Sequence, residues 1–291
     1  MRGRKKSLHS EPSDGPNNKS AIFRLTSITK DAHIFKKENV FLSTNTHPIT
    51  DFMSDVFAVN YSGEPFHFFG PAHITVLTSI ILFNVLFFLF RKRFSVKVRR
   101  NIRYGMAILL FLNEIGYHIW RISTGTWTIQ HMLPLHLCAV LVWFSLVMLL
   151  TGSVRIYEFS YFLGIAGATQ ALLTPEVSQY GFPHYRWCQT FISHGILVAI
   201  PLYMTFVEGF RPYWKSVTRV LLTLNIYAVF VGIVNAMVGS NYLFIARKPD
   251  MPTLLDVLGP WPWYILAMEA LALVLCLLLY LPFAIKDKKA R

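Results

Sequence analysis

The chain has 291 residues, of which 54% are hydrophobic, 15% aromatic and only 15% charged, well below the roughly one-quarter charged residues of ordinary globular domains. A mean hydropathy of +0.43, held in long apolar runs, excludes a disordered protein, a disulfide scaffold and a nucleic-acid-binding domain, and leaves a multi-pass membrane protein. The net charge of +13 sits in short stretches between the apolar runs rather than along one face, so it reads as an orientation signal and no nucleic-acid partner is expected.

In chain order, residues 1–52 are polar, rich in Ser, Asn and Lys, and carry nine basic and five acidic residues without helical periodicity. They are predicted to be a disordered basic extension, and they lack the apolar core of a signal peptide. Met53 offers a second start that would leave a short tail free of Lys and Arg before the first span. Both readings, a true extension and a start at Met53, stand. A short segment, 53–71, then leads into a transmembrane domain over 72–284, followed by a basic tail, 285–291.

Seven apolar runs match the ~30 Å hydrocarbon core of a bilayer. They cover Ala72–Phe90, Tyr104–Ile122, Leu133–Thr151, Ile156–Thr174, Cys188–Glu208, Val217–Gly239 and Pro262–Ala284. Runs of this length without two-residue alternation satisfy their backbone only as helices, which excludes a β-barrel. The expected fold class is all-α, a polytopic seven-transmembrane-helix bundle. Fifteen Lys and Arg residues fall in the first, third and fifth loops and the C-terminal tail, against four (Arg121, Arg186, Arg247 and Lys248) in the alternate loops. Basic residues in short loops favour the cytoplasm, so the C-terminus is expected inside and the N-terminus outside.

Polar side chains inside spans are costly, ~2.5 to 3.5 kcal/mol for a charge at the centre, and so face protein or a wet cavity. Here they gather at one expected depth. His73 opens the first span, Glu114 and His118 lie in the outer half of the second, His136 and Cys138 at the head of the third and Gln170 near the outer end of the fourth. Gln189 and His194 fall in the outer half of the fifth, Asn235 near the outer end of the sixth and Glu269 in the outer half of the seventh. That arrangement predicts a polar pocket open to the exterior; the competing reading is polar glue between helices. Glu114 and His118 are four apart and share a helical face, as an acid–base pair requires. His131 and Cys138, and His184 and Cys188, have one-face spacings as well, whereas His136 and Cys138 are two apart and point to different sides of a regular helix unless Pro134 loosens its first turn.

Three chemistries fit Cys138 and Cys188 on one outer surface: a disulfide, a soft-metal site or a thiolate nucleophile with a histidine base. No CxxC or HExxH spacing supports the metal, and no metal or cofactor is expected. No lysine lies inside a span, which excludes a retinal Schiff base, and no GxxxxGKS loop is present for phosphate. The loop between spans six and seven is expected to cover the pocket, with Asn241 and Tyr242 as lid contacts and Asp256 at its rim. Trp120, Trp127, Trp261, Trp263 and Tyr264 read as interfacial aromatic residues.

The strings LPLHLC (Leu133–Cys138), GIAGATQALLTP (Gly164–Pro175), FPHYRWCQTFISHG (Phe182–Gly195), NAMVGSNYLFIARKP and LLDVLGPWPWYI (within Asn235–Ile265) resemble the bacterial YwaF-like family of integral membrane proteins over roughly 66–282. That resemblance implies a location in the bacterial plasma membrane. A distantly related family, transmembrane protein 164, is regarded as a phospholipid acyltransferase working through a cysteine acyl-enzyme. Its Asn-Pro-Cys-His string is similar to Leu133-Pro134-Leu135-His136; the proline and histidine match, Leu135 stands in place of the cysteine, and Cys138 lies three residues on.

The leading functional expectation is a lipid-modifying enzyme of acyl-transfer type, with membrane lipids as partners and a phospholipid as substrate. His136 would act as base or oxyanion donor, Glu114 and His118 as acid–base support, His194 as a second proton carrier and Cys138 as nucleophile. His73, Gln170, His184, Gln189, Asn235, Asn241, Tyr242, Asp256 and Glu269 would line the pocket. The alternatives are a transporter or receptor for a small polar solute, against which stands the lack of an internal repeat, and a structural membrane subunit.

Overall fold

A computed structural model of the chain describes residues 48–177, 179–249 and 254–289. Two compact units divide the chain, Met1–Met53 and Ser54–Arg291. The disorder expected for residues 1–52 lies outside the described residues as far as residue 47; from Pro48 the chain is helical (α1, Pro48–Val56). The second unit is described by itself below.

Its described residues form helices and no strand. They are α2 (Pro71–Phe90), α3 (Val96–Ser123), α4 (Ile129–Met132), α5 (Leu137–Thr151), α6 (Val154–Phe159), a π-helical turn (Ser160–Gly164) running straight into α7 (Ile165–Leu173), α8 (Tyr185–Phe206), α9 (Trp214–Val238) and α10 (Trp263–Lys289). The ends are written locally. Pro71 occupies the first turn of α2, where its missing N–H costs nothing. Ser95 and Ser153 cap α3 and α6 by accepting the N–H groups of Val98 and Ile156, each at 3.4 Å. Gly152, at φ 68°, closes α5 in the left-handed conformation that glycine adopts freely. Because Ser153 follows directly, one helix stops and the next starts within two residues, and α5 and α6 fold back as neighbours.

Every predicted span falls on a helix, though not always as expected. α2, α8, α9 and α10 are long and apolar enough to cross a membrane by length and composition. α3 starts at Val96 rather than Tyr104, because Ser95 supplies a cap and the basic loop contains no breaker; Arg103 then reaches the carbonyl of Leu149 near the C-terminal end of α5 through Nε at 2.9 Å. The third span begins as helix only at Leu137, since Leu133, restricted by the proline that follows it, and His136 are extended and Pro134–Leu135 form a turn between them; α5 is 15 residues long. The fourth is divided by the π-helical turn.

α8 is the axis of the bundle: 67% of its apolar window is buried inside the molecule, against 6% for α2, 17% for α9 and 11% for α10. Around it, Leu110, Leu141, Leu149, Phe162, Leu197 and Ile200 make a continuous core. The outer helices instead turn large apolar side chains outward, Ile81 at 62% and Met237 at 78% exposure. So much unpaired apolar surface is what a bilayer covers and water does not.

Candidate functional site

The polar residues expected in the outer halves separate into three sets. The first joins α3 to α8. On α3, Glu114 Oε1 stands 3.5 Å from His118 Nε2, as their four-residue spacing requires. The indole N–H of Trp127 donates to His118 Nδ1 at 3.1 Å. That bond makes Nδ1 the acceptor and directs the Nε2 proton toward the carboxylate. On α8, Arg186 donates to Gln189 Oε1 and, at 2.5 Å, to Thr190 Oγ1. Its guanidinium lies over the Tyr117 ring, 4.6 Å from the centroid. Asn113 ties the helices by donating to the Gln189 carbonyl at 3.2 Å. One turn further into the bundle, His194 donates from Nδ1 to the Thr190 carbonyl at 2.8 Å, which leaves Nε2 as the nitrogen with an open lone pair.

The second set surrounds Cys138. Gly164 on the π-helical turn lies under the Leu197 carbonyl of α8, and one turn outward Gly167 lies against α5: a Cβ built on it would stand 3.4 Å from Leu137 Cδ2 and 4.0 Å from Cys138 Sγ. α7 and α8 run antiparallel, so one turn from the Gly164–Leu197 contact brings Gly167 level with His194. Gln170 follows Gly167 by another turn and is exposed.

The third set is the outer loop. Tyr242 is fully buried; its hydroxyl donates to the Ile129 carbonyl at 2.5 Å and accepts from the Leu133 N–H at 2.9 Å. Asn235 holds the turn after α9, donating to the Tyr242 carbonyl at 2.9 Å and accepting from Ser240 and the Tyr242 N–H at 2.7 and 2.8 Å. Asn241 staples the loop onto the backbone of Ala246 and Arg247. His136 packs edge-on to Tyr242 and against Phe244, with centroids 5.1 and 5.0 Å away.

The remaining candidates are tied into the scaffold. His73 is 1% exposed, donates from Nε2 to the Leu172 carbonyl at 2.8 Å and accepts the Phe69 N–H at Nδ1 at 3.0 Å. His184 is equally committed: Nε2 donates to the Ala58 carbonyl at 2.9 Å, Nδ1 accepts the Arg186 N–H at 3.0 Å, and the ring stacks on Tyr180 at 4.2 Å. Burial holds its basicity below the ordinary value of 6.5. Neither imidazole keeps a lone pair for a ligand. Glu269 takes the amide of Asn225 on α9 at 3.0 Å. Asp256 accepts Lys248 Nζ at its backbone carbonyl, 3.4 Å away.

Several spacing arguments are corrected by this geometry. His136 is the N-cap of α5, with extended backbone (φ −67°, ψ 149°), so the helical angle between it and Cys138 does not apply. His131 lies on α4, a separate helix from Cys138, and the seven-residue spacing has no common face. The three cysteines are free, which removes the Cys138–Cys188 bridge. Among the described residues no group of three or more His, Cys, Asp and Glu is placed to hold a metal ion. Sequence reasoning missed Arg186, Thr190 and Trp127. Arg186 was counted only as a loop charge, yet with Gln189 and Thr190 it has the i, i+3, i+4 spacing of one helical face.

The model of the TMEM164 family matches residues 68–280. The chain belongs to the TMEM164 family. Searches of curated proteins and of solved structures returned no match. The matched stretch holds all three polar sets of this TMEM164 chain, and its limits coincide with the helical bundle rather than with the N-terminal extension.

Proposed function

We propose that this TMEM164-family protein is a seven-span enzyme of the YwaF-like bacterial branch, set in the plasma membrane with its N-terminus outside, that transfers acyl groups between lipids. Support for the seven spans is the coincidence of each apolar run with a helix; support for the orientation is the bias of Lys and Arg toward one set of loops. The observations that carry the chemistry are a cysteine sulfur near Gly167 of α7 and, on the neighbouring α8, a histidine, His194, whose Nδ1 bond leaves Nε2 free as a base; the proposed mechanism brings the two to one lipid ester.

In this reading Cys138 is the nucleophile. His194 Nε2 takes the thiol proton as sulfur adds to the ester carbonyl of a donor lipid; the carbon–oxygen bond breaks, and the departing alkoxide recovers that proton. An acceptor hydroxyl then gives its proton to the same nitrogen and attacks the thioester, releasing the thiol. Arg186, held by Gln189 and Thr190, supplies positive charge for an anionic headgroup or a developing oxyanion. The Glu114–His118 pair keeps that guanidinium from standing as a lone charge among apolar helices.

The test is intact-mass measurement of the purified protein after exposure to vesicles of a phosphatidylcholine. A hydroxylamine-sensitive acyl adduct that is lost in Cys138→Ser and falls at least tenfold in His194→Gln supports the reading. An adduct that survives Cys138→Ser, or its absence from a folded wild-type protein under every lipid tried, sinks it.

A further inference from the structure

Between α2, α7 and α8 lies a groove of about 490 Å³, within the ~300 to 1,000 Å³ range of small-molecule sites. Its walls are Ile80, Val85 and Leu77 of α2, Leu173 of α7 and Val198 and Leu202 of α8. Asn84 also lines it, but its amide N–H turns back onto the Ile80 carbonyl at 2.8 Å. The stripe of positions 198, 202 and 206 on α8 recurs every four residues, so the groove follows the helix axis. From Leu77 to Phe88 it runs about 16 Å at 1.5 Å per residue.

The two ends differ. At the outer end α2 is fixed by the bond from His73 to the Leu172 carbonyl and presses Ile80 onto Gly195, where an added Cβ would lie 3.0 Å from Ile80 Cδ1. There the exposed hydroxyl of Thr169 borders the groove. At the inner end, Phe88 and Phe206 meet edge to face at 5.1 Å and shut it. Only 6% of the α2 window is buried, so the outer face of the groove opens onto the surroundings of the helix, and for apolar spans those surroundings are hydrocarbon.

We infer that this groove holds one acyl chain of a bilayer lipid, its ester end beside Thr169 and its methyl end against the Phe88–Phe206 pair, which caps the chain length accommodated. An axial, mostly apolar slot closed at one end fits a single extended chain; a headgroup or a sugar would find along its walls only Asn84, whose Oδ1 is buried without a partner among the described residues, and Thr169 as polar neighbours. The inference depends on α2 and α8 lying in the bilayer and stands whether or not Cys138 is a nucleophile.

The experiment is photolabelling of the intact protein in phosphatidylcholine vesicles whose palmitoyl chain carries a diazirine either next to the ester or at its end. End-labelled probe is expected to tag Phe88 or Phe206, and ester-proximal probe to tag Thr169–Leu173. Val85→Trp and Leu202→Trp should each lower both signals about tenfold by filling the slot, while Met237→Trp, on an outward face, leaves them unchanged. The positional pattern in the wild-type protein tests the idea even if a tryptophan variant fails to fold. Labelling that is equal around all outward faces and independent of diazirine position overturns it. So does cross-linking between copies through a cysteine placed at position 81 with no lipid label in the groove, which would mean that a second chain fills it.

Discussion

His73 shows how a polar residue in an apolar span is made permanent. Both ring nitrogens are spent on backbone groups of different segments, Phe69 and Leu172, while Phe66 and Phe191 pack around the ring at 5.0 and 5.4 Å. His73→Ala strands a buried N–H and a buried carbonyl, each costing about 1–3 kcal/mol, so thermal unfolding in detergent should fall sharply while acyl-adduct formation per folded molecule is retained. His184 adds a pH dependence. Its Nδ1 is an acceptor, so the fold requires the neutral ring, and burial depresses its basicity. The unfolded chain therefore binds the proton more readily, and the stability His184 contributes is complete above about 6.5, the ordinary histidine value, and is lost as pH falls below it. The unfolding temperature of wild type should drop from pH 7.5 to 5.5 more steeply than that of His184→Gln; equal slopes would show that this ring does not carry the effect.

At the level of elements, the N-terminal segment of the bundle is held by side chains reaching successive carbonyls. Trp120 bonds to Phe57 at 2.8 Å, His184 to Ala58 at 2.9 Å and Tyr180 to Val59 at 3.1 Å. Further along, Gly181 passes so close that a Cβ there would lie 2.2 Å from the Glu64 carbonyl oxygen and 2.8 Å from that of Pro65. Both are backbone atoms and cannot swing aside. Gly181→Ala should push residues 57–65 off the bundle and cost about 1–3 kcal/mol, read as new protease cleavage within that segment at a temperature where wild type is intact. This strap was invisible in the sequence, which shows only a glycine in a Tyr-Gly-Phe-Pro loop. The helix stops at Gly152 and Gly239, both left-handed, rest instead on a local rule, since a glycine after an apolar run can close a helix whatever packs nearby.

Across the whole bundle, the end where α8 leads into α9 is tied by ion pairs. Glu158 of α6 is 3% exposed, bonded to Arg219 of α9, and accepts Ser216 Oγ at 2.8 Å. Arg211 grips both oxygens of Asp287 at 2.7 Å, and that carboxylate raises the basicity of the guanidinium. Removing one partner of a shielded pair costs more than removing both, because a lone charge stays behind. Glu158→Ala is expected to cost about 3 kcal/mol, toward the low end for buried pairs since Arg219 keeps partial contact with solvent. The double variant Glu158→Ala/Arg219→Ala should recover part of that loss; a double-variant loss equal to the sum of the two single losses would show that the pair contributes no coupling.

The number, position and helical character of the apolar runs, and the direction of the charge bias, were determined by the sequence alone, because hydropathy and basic flanks act residue by residue against the bilayer and need no tertiary partner. The Glu114–His118 pair was legible for the same reason: four residues on one helix face are a local fact. What only the tertiary structure decided was which polar residues share a level. Backbone carbonyls of distant segments claim His73 and His184, the turn after α9 claims Asn235, and Asn225 claims Glu269. Arg186 joins the α3 face, and Cys138 comes to lie against Gly167. Each of those outcomes depends on helix rotation and on the start of α5 three residues after Pro134, and neither is written in the spacing of residues along one chain.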